Sequence, residues 1–168
     1  IGWRAVSAAT AFATNSPPTS GSLLDVTSAP DAVGGLPARR LSANATLGLH
    51  QSQIYDSTIS PDRRTTYTIL RRGICKPQVI LYGVGWYVLV FPNADWSVLN
   101  TTVSGVVAEY SSRIECISGD DYMIWLTVKS NVSETMTASL RVLDAAGNQN
   151  FGGAGEYLDV SVFNLERD

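Results

Sequence analysis

The sequence has little of the chemistry on which most catalytic sites depend. Its 168 residues include one histidine, His50, and two cysteines, Cys75 and Cys116. No Gly-x-Ser-x-Gly segment is present, so a nucleophilic triad would have to use His50 without the strand-to-helix turn of hydrolases. The cysteines form no Cys-x-x-Cys motif and, with one histidine, provide no recognisable zinc ligand set. We therefore predict no catalytic residues and no enzymatic activity.

Charge and long apolar runs are also scarce. Charged residues make up 16% of the chain and apolar residues 45%, a balance that excludes disorder over most of its length. The longest apolar run, residues 79–91, is too short for a transmembrane helix. We interpret it as a long central strand bent at Gly83 and Gly85, or as a tight pair of strands.

Several segments alternate between apolar and polar residues with a period of two, which is typical of half-buried β-strands. The predicted buried faces are Tyr122, Ile124, Leu126 and Val128 in one segment, Met136, Ala138, Leu140 and Val142 in the next, and Leu158, Val160 and Val162 in the last. Turn-forming clusters separate these segments, and no segment predicts a helix. The pattern predicts an all-β fold, an antiparallel sandwich or barrel.

The first part of the chain has a different composition. Residues 7–43 are rich in Ala, Ser, Thr, Pro and Gly, with loop-forming stretches between short apolar pieces that could form edge strands. We predict an extended arm or long connection over residues 1–43, packed along a β-sandwich domain over residues 44–168.

Basic side chains are concentrated in residues 1–76, which carry eight cations and four acids, whereas residues 77–168 carry four cations and eleven acids. If the two parts do not interleave, this predicts one positive and one negative region. Between residues 63 and 76, five cations occur without an acid, which indicates contact with a phosphate backbone; plain surface charge or subunit pairing is the alternative. The candidate nucleic-acid-facing residues are Arg39, Arg40, Arg63, Arg64, Arg71, Arg72 and Lys76.

Two adjacent acids, Asp120 and Asp121, follow Gly119. Neighbouring residues on a strand point to opposite faces, so they do not predict the converging carboxylates of a glycosidase. They predict a hairpin turn. The alternative is a calcium ion that one of them shares with an acid of a neighbouring subunit; no other cofactor is predicted.

Other surface and core features bear on the protein's location and packing. The asparagines of three N-x-Ser/Thr sequons are Asn44, Asn100 and Asn131, which would mark glycosylated surface positions in a secreted protein. The four tryptophans are Trp3, Trp86, Trp96 and Trp125, which we expect to fill the core rather than to build a carbohydrate-stacking platform. We expect the cysteines to be buried free thiols, with one disulfide as the alternative.

The chain resembles the shell domain of a small icosahedral virus capsid protein. The resemblance rests on four features: an all-β domain, a preceding arm rich in Ala, Ser, Thr and Pro, a charge difference between the two halves, and no catalytic set. The resemblance implies an eight-stranded jelly roll, a structural protein that self-assembles into a virion shell, and cations of the first half turned toward packaged nucleic acid. A protruding capsid domain that binds a host receptor is a variant of this interpretation.

The alternative is a secreted or cell-surface β-sandwich that binds glycans or proteins. The three sequons favour it, and so does the segment 142–148, which is similar to turns of bacterial immunoglobulin-like repeats. The two hypotheses differ in oligomeric state, because a shell subunit forms large particles and a binding module does not.

Overall fold

The computed structural model describes residues 10–11 and 17–168. In chain order, the strands are β1 (Thr10–Ala11), β2 (Leu24–Ala29), β3 (Ala38–Ala43), β4 (Gly48–Leu49), β5 (Gln51–Ser60), β6 (Arg64–Arg71), β7 (Pro77–Gly83), β8 (Trp86–Pro92), β9 (Leu99–Ser104), β10 (Glu109–Ser118), β11 (Asp121–Lys129), β12 (Glu134–Val142), β13 (Asn150–Phe151) and β14 (Tyr157–Arg167). Helical structure within these residues is limited to one 3-10 turn, Val33–Gly35. No described helix is long and apolar enough to cross a bilayer.

The strands form two main antiparallel sheets. A seven-stranded sheet has the order β10-β11-β6-β14-β3-β2, with β1 paired to the far part of β14, and a five-stranded sheet has the order β5-β12-β7-β8-β9. Strands β4 and β13 form a small separate pair. The predicted all-β class and antiparallel pairing are confirmed. In the larger sheet, strands from the two halves of the sequence are neighbours, so the halves interleave.

One core joins the inner faces of the two sheets. The larger sheet contributes Leu41, Leu70, Ile124, Leu126, Val128 and Phe163, and the smaller contributes Val79, Leu81, Val88, Met136, Ala138 and Leu140. The predicted buried faces of β11 and β12 are confirmed, although Tyr122 is only half-buried at the margin of the core. Each fully buried Leu or Ile side chain contributes about 1.5–3 kcal/mol relative to exposure, so this core supplies the main driving force for folding.

The predicted face of the last strand is correct only at its beginning. Leu158 and Val160 are buried in the core, but a β-bulge between Val160 and Val162 inserts one extra residue opposite β6. The bulge reverses the alternation. Phe163 and every second residue after it therefore point to the inner face, and Val162 points away from it. Ser161, predicted to point outward, is buried and donates a hydrogen bond to the Ile69 carbonyl.

The long apolar run folds as a tight pair of strands. β7 and β8 pair from Val79 opposite Val90 to Gly83 opposite Trp86, which leaves Val84 and Gly85 as the turn. Gly85 has a φ of 76°, a backbone conformation that favours glycine. Of the two interpretations of this run, the hairpin is therefore confirmed.

The sandwich begins earlier than the predicted boundary at residue 43. β2 and β3 pair with each other, β3 also pairs with β14, and Leu41 is fully buried in the core. β2 lies at the edge of its sheet, as its short apolar segment indicated. The parts of the predicted arm at residues 1–9 and 12–16, including Trp3, lie outside the described residues.

Candidate functional site

Arg64 does not face solvent, contrary to its prediction as a nucleic-acid contact. Its side chain lies on the inner face of β6 with 0% exposure. Nε donates to Asp56 Oδ2 at 2.9 Å, Nη1 to the Ser60 carbonyl at 2.8 Å, and Nη2 to the carbonyls of Thr58 and Glu134 at 2.8 and 2.7 Å. A buried guanidinium held in this way closes one end of the sandwich and has no donor left for a phosphate.

Glu134 forms a second buried polar centre beside Arg64. Its carboxylate accepts hydrogen bonds from the Val84 amide at 2.8 Å, from Trp86 Nε1 at 2.9 Å and from the Ser130 hydroxyl. Burial by itself raises the pKa of this carboxyl, but the three donors and the Arg64 charge outweigh burial and hold the pKa below its usual value. Glu134 is therefore ionised and ties the turns at this end to the core.

Four exposed apolar side chains project from the same end of the sandwich. Ile59, Val84, Val106 and Val132 are 72%, 85%, 74% and 60% exposed. We call these four residues the tip surface. Contiguous exposed apolar patches larger than a few hundred Å² mark interaction sites in many proteins, which makes this end of the sandwich a candidate contact site.

The buried polar groups hold the tip surface in place. The carbonyls on both sides of Ile59 accept from Arg64, and the amide of Val84 donates to Glu134. The amide of Val132 donates to the Ser130 hydroxyl at 3.3 Å. Gly105, next to Val106, packs so closely on Gly85 and Trp86 that a side chain at this position would clash with their backbone. The four apolar groups are therefore preorganised, which lowers the entropic cost of binding a partner.

Arg71, another predicted nucleic-acid contact, lies at the opposite end of β6, on the outer face of the seven-stranded sheet. Arg40, Asp159, Arg71 and Asp121 form a row across the neighbouring strands β3, β14, β6 and β11, which we call the ion-pair row. Arg40 binds Asp159 through two hydrogen bonds of 2.9 and 3.0 Å. Arg71 lies 3.8 Å from Asp159 and 3.6 Å from Asp121.

The connection between β2 and β3 covers part of this row. Arg71 donates to the carbonyls of Pro30 and Asp31 at 3.1 and 3.0 Å, and Asp121 accepts from the Val33 amide at 2.8 Å. Arg40 also stacks on the Tyr157 ring at 3.9 Å. These contacts occupy Arg40 and Arg71 within the protein, so neither guanidinium is free for the predicted contact with a phosphate backbone.

The predicted separation of charge is not realised. Arg63 pairs with Glu109 at 2.7 Å, so the first-half cations Arg40, Arg63 and Arg71 all meet second-half carboxylates through the interleaved strands. Of the seven candidate contacts, the exposed Arg39 and Arg72 and the half-buried Lys76 have no carboxylate partner among the described residues.

The acidic pair does not form a calcium site within the described chain. Asp120 lies exposed in the turn between β10 and β11, as the hairpin prediction required, and its carbonyl accepts from the Arg72 amide. Asp121 is engaged by Arg71 and Val33. No three His, Cys, Asp or Glu side chains come together over residues 10–11 and 17–168 in a way that could hold a metal ion.

His50, the single histidine, has a structural role. His50 is fully buried, and its Nδ1 and Nε2 lie 2.8 and 2.7 Å from the carbonyl oxygens of Leu23 and Phe151. Both cysteines are free thiols; Cys75 is buried as expected, and burial raises the pKa of its thiol, but Cys116 is exposed. Over the described residues, both ring nitrogens of His50 face backbone carbonyls, and neither is paired with a nucleophilic side chain.

The tryptophans and sequons divide between core and surface. Trp86 and Trp96 are buried in the core as predicted, whereas Trp125 is half-buried on the outer face, where Arg113 lies over its ring. Asn100 and Asn131 are exposed, on β9 and in a turn. Asn44 is half-buried and its side-chain oxygen accepts from the Thr46 amide.

Sequence reasoning missed the tip surface. Two of its residues have a signal in the sequence, a branched apolar side chain beside turn-forming residues: Val84 precedes Gly85, and Val132 lies between Asn131 and Ser133.

Comparison with known proteins adds no assignment. No protein-family model matches the chain, and no curated protein matches it significantly. Function is therefore argued from the geometry of the molecule alone.

Proposed function

We propose that this protein is a structural subunit that associates with copies of itself through the tip surface, as a jelly-roll subunit of a virus-like shell would. The observation that carries the proposal is the set of four exposed apolar side chains at one end of the sandwich, three of them beside backbone groups that are hydrogen-bonded to Arg64, Glu134 or Ser130. Their burial against a second copy would remove apolar surface from water without ordering a flexible loop.

The order of the strands supports a jelly-roll interpretation of the sandwich. In chain order, β3, β6, β11 and β14 belong to the larger sheet and β5, β7, β8 and β12 to the smaller. Within the sheets they are arranged as β11-β6-β14-β3 and β5-β12-β7-β8, the interleaved arrangement of two four-stranded sheets made from two Greek keys. Viral shells and lectins both use this arrangement, so it is compatible with both hypotheses from the sequence.

Apolar contacts at one end of a subunit favour ring closure around a symmetry axis. A stable interface buries about 800 Å² on each partner, which is more than four side chains provide. The tip surface would therefore form the centre of a larger contact. Packaged nucleic acid, if it touches the folded domain, would meet Arg39, Arg72 and Lys76 rather than the full set of arginines.

The proposal is tested by light scattering coupled to size-exclusion chromatography of the wild-type protein and a Val84→Asp/Val132→Asp double variant. We expect the wild type to form large assemblies and the double variant to elute as a folded monomer. Negative-stain microscopy and ultraviolet absorbance of the assembled fraction report particle shape and nucleic-acid content.

Ile74 provides a matched control, because it is 90% exposed in the connection from β6 to β7, at the opposite end of β6 from Arg64. Ile74→Asp is expected to assemble as the wild type does. A wild-type monomer at high concentration, or equal disruption by Ile74→Asp, would remove the tip surface from the proposal and leave the monomeric binding module as the better hypothesis.

A further inference from the structure

One cation of the sandwich is partly buried without a carboxylate beside it. Arg141 lies on the outer face of β12, where its Nε donates to Gln51 Oε1 at 2.9 Å. Its Nη1 donates to Gln149 Oε1 at 2.7 Å and to Gln78 Oε1 at 3.3 Å. All three partners are neutral amide oxygens. Within the described chain, Nη2 of Arg141 has no hydrogen-bond partner and the side chain forms no ion pair.

This arrangement differs from that of the other sheltered arginines. Arg40, Arg64 and Arg71 each meet a carboxylate, whereas Arg141 meets none; burial lowers the pKa of its guanidinium, opposed by the nearby Tyr82 phenol. Removing a cation from water without a counter-ion costs free energy. An anion bound beside Arg141 would offset this cost.

Arg141 lines a cavity of ≈ 460 Å³ on the outer face of the five-stranded sheet. The cavity is lined by the aliphatic side chains of Ile80 and Leu89 and by two tyrosines, Tyr82 and Tyr87. Tyr82 is oriented by Gln53, whose amide donates to the phenol oxygen at 2.8 Å. The volume falls in the range of small-molecule sites, about 300–1,000 Å³.

Polar groups in the cavity accompany the apolar ones. Gln149 and Ser104 add an amide and a hydroxyl to the lining beside the Arg141 guanidinium. Aromatic faces next to short hydrogen-bonding side chains suit a ring that carries hydroxyl groups, because its C–H face packs on the aromatic rings while its edge is hydrogen-bonded. A long acyl chain would require a lining without these polar groups.

We propose that this cavity binds an acidic sugar, with the carboxylate of the sugar on Nη2 of Arg141 and its ring against Tyr82 and Tyr87. The cavity reaches Gly83, Gly85 and Trp86, beside Val84, but contains none of the four residues of the tip surface. The carboxylate neutralises the charge of Arg141, and Gln149 and Ser104 form hydrogen bonds with the hydroxyl groups of the sugar. The ligand is either a free acidic monosaccharide or the terminal residue of a glycan.

The proposal is tested by calorimetry and ligand-observed NMR with the methyl α-glycoside of N-acetylneuraminic acid. The methyl ester of the same glycoside is the matched control ligand, since it lacks only the charge. We expect the ester to bind at least about tenfold more weakly, the loss of one charge-assisted hydrogen bond. A trisaccharide that ends in the same sugar tests the glycan source, and tighter binding than that of the monosaccharide would assign it.

Variants separate the site from general effects on folding. Arg141→Gln is expected to lose acid-specific binding, Arg141→Lys to retain part of it, and Tyr87→Ala to weaken the acid and the ester alike. Arg113→Gln, which removes an exposed cation from the other sheet, is the matched control and should bind as the wild type does. Equal affinity for acid and ester, unchanged binding by a folded Arg141→Gln protein, or no saturable binding of the acid would overturn the proposal.

Discussion

The two ends of β6 carry arginines in the same strand but in opposite environments. Arg64, at the beginning of the strand, points inward and is fully buried on Asp56, whereas Arg71, seven residues later, points outward into the ion-pair row. An odd separation along a strand places two side chains on opposite faces. The comparison shows that an arginine at a strand end is either buried between the sheets or placed on the outer face. Which of the two applies depends on whether its position in the strand faces inward or outward.

Each environment has its own energetics. At the buried end, loss of one partner leaves an uncompensated charge away from water. At the other end, Arg71 is partly exposed but Asp121 and Asp159 are largely buried, so water and salt replace a lost partner only in part. Substitutions at the two ends therefore distinguish a network that maintains the fold from one that adjusts the surface.

Arg64→Met is expected to have the largest effect on stability. The substitution leaves the Asp56 carboxylate buried with only the Thr58 amide at 2.9 Å and the more distant Arg167 at 3.9 Å. We expect a loss of about 3–5 kcal/mol in the free energy of unfolding, measured by urea denaturation. Addition of Asp56→Asn should recover part of the loss; a loss below about 1 kcal/mol for Arg64→Met would show that the buried pair is dispensable.

Glu134→Gln is expected to cost about 1–3 kcal/mol, because the amide nitrogen of Gln cannot accept the hydrogen bonds that the carboxylate receives. The pKa of Glu134 is lowered in the folded protein, so the ionised form contributes stability above the ordinary Glu pKa, near 4.3. That contribution is lost as the pH falls through the lowered folded value. Unfolding measured from neutral to acidic pH should show a smaller decline for Glu134→Gln; an identical decline would contradict the assignment.

Arg71→Met tests the other end of β6. Its guanidinium is partly exposed and the ion pairs are 3.6 and 3.8 Å long, but Asp121 and Asp159 are buried, so we expect a loss of about 1–2 kcal/mol, smaller than that of Arg64→Met. The difference from the wild type should shrink as salt is added, because salt screens exposed charges. A loss as large as that of Arg64→Met, or one that is independent of salt, would show that the two ends of β6 do not differ in kind.

Arg63→Met is expected to have the smallest effect. Arg63 is the sequence neighbour of Arg64 but is exposed and pairs with the exposed Glu109. Its removal should leave the urea midpoint unchanged within error, which makes it the control for Arg64→Met. A clear shift of the midpoint would show that Arg63 supports the fold through a contact beyond this pair.

Local pattern was sufficient for part of the fold. The alternation of β11 and β12 predicted their buried faces because period two is a property of each strand alone. The same reasoning failed after Val160, since the bulge that reverses β14 depends on its pairing with β6. It also placed β3 in an arm, because a short strand with two arginines is recognised as part of a sheet only once its partner β14 is known.

The candidate sites show the same limit. A sequence pattern identifies a cluster of cations, but it does not show which carboxylates a distant strand will bring to them, as Asp159 is brought to Arg40. The reverse case is Arg141, which stands alone in its segment and whose neighbours in space are amides. The difference between a paired and an unpaired arginine is a property of the strand order.

The central place of β14 has a consequence for how the protein is made. β3 and β6 leave the ribosome well before residues 157–167, yet in the native sheet β14 lies between them. Until this segment is synthesised, both earlier strands expose unpaired backbone groups, which are templates for pairing with other chains. Folding of the larger sheet must therefore wait for residues 157–167, and we expect fragments that stop before residue 157 to aggregate.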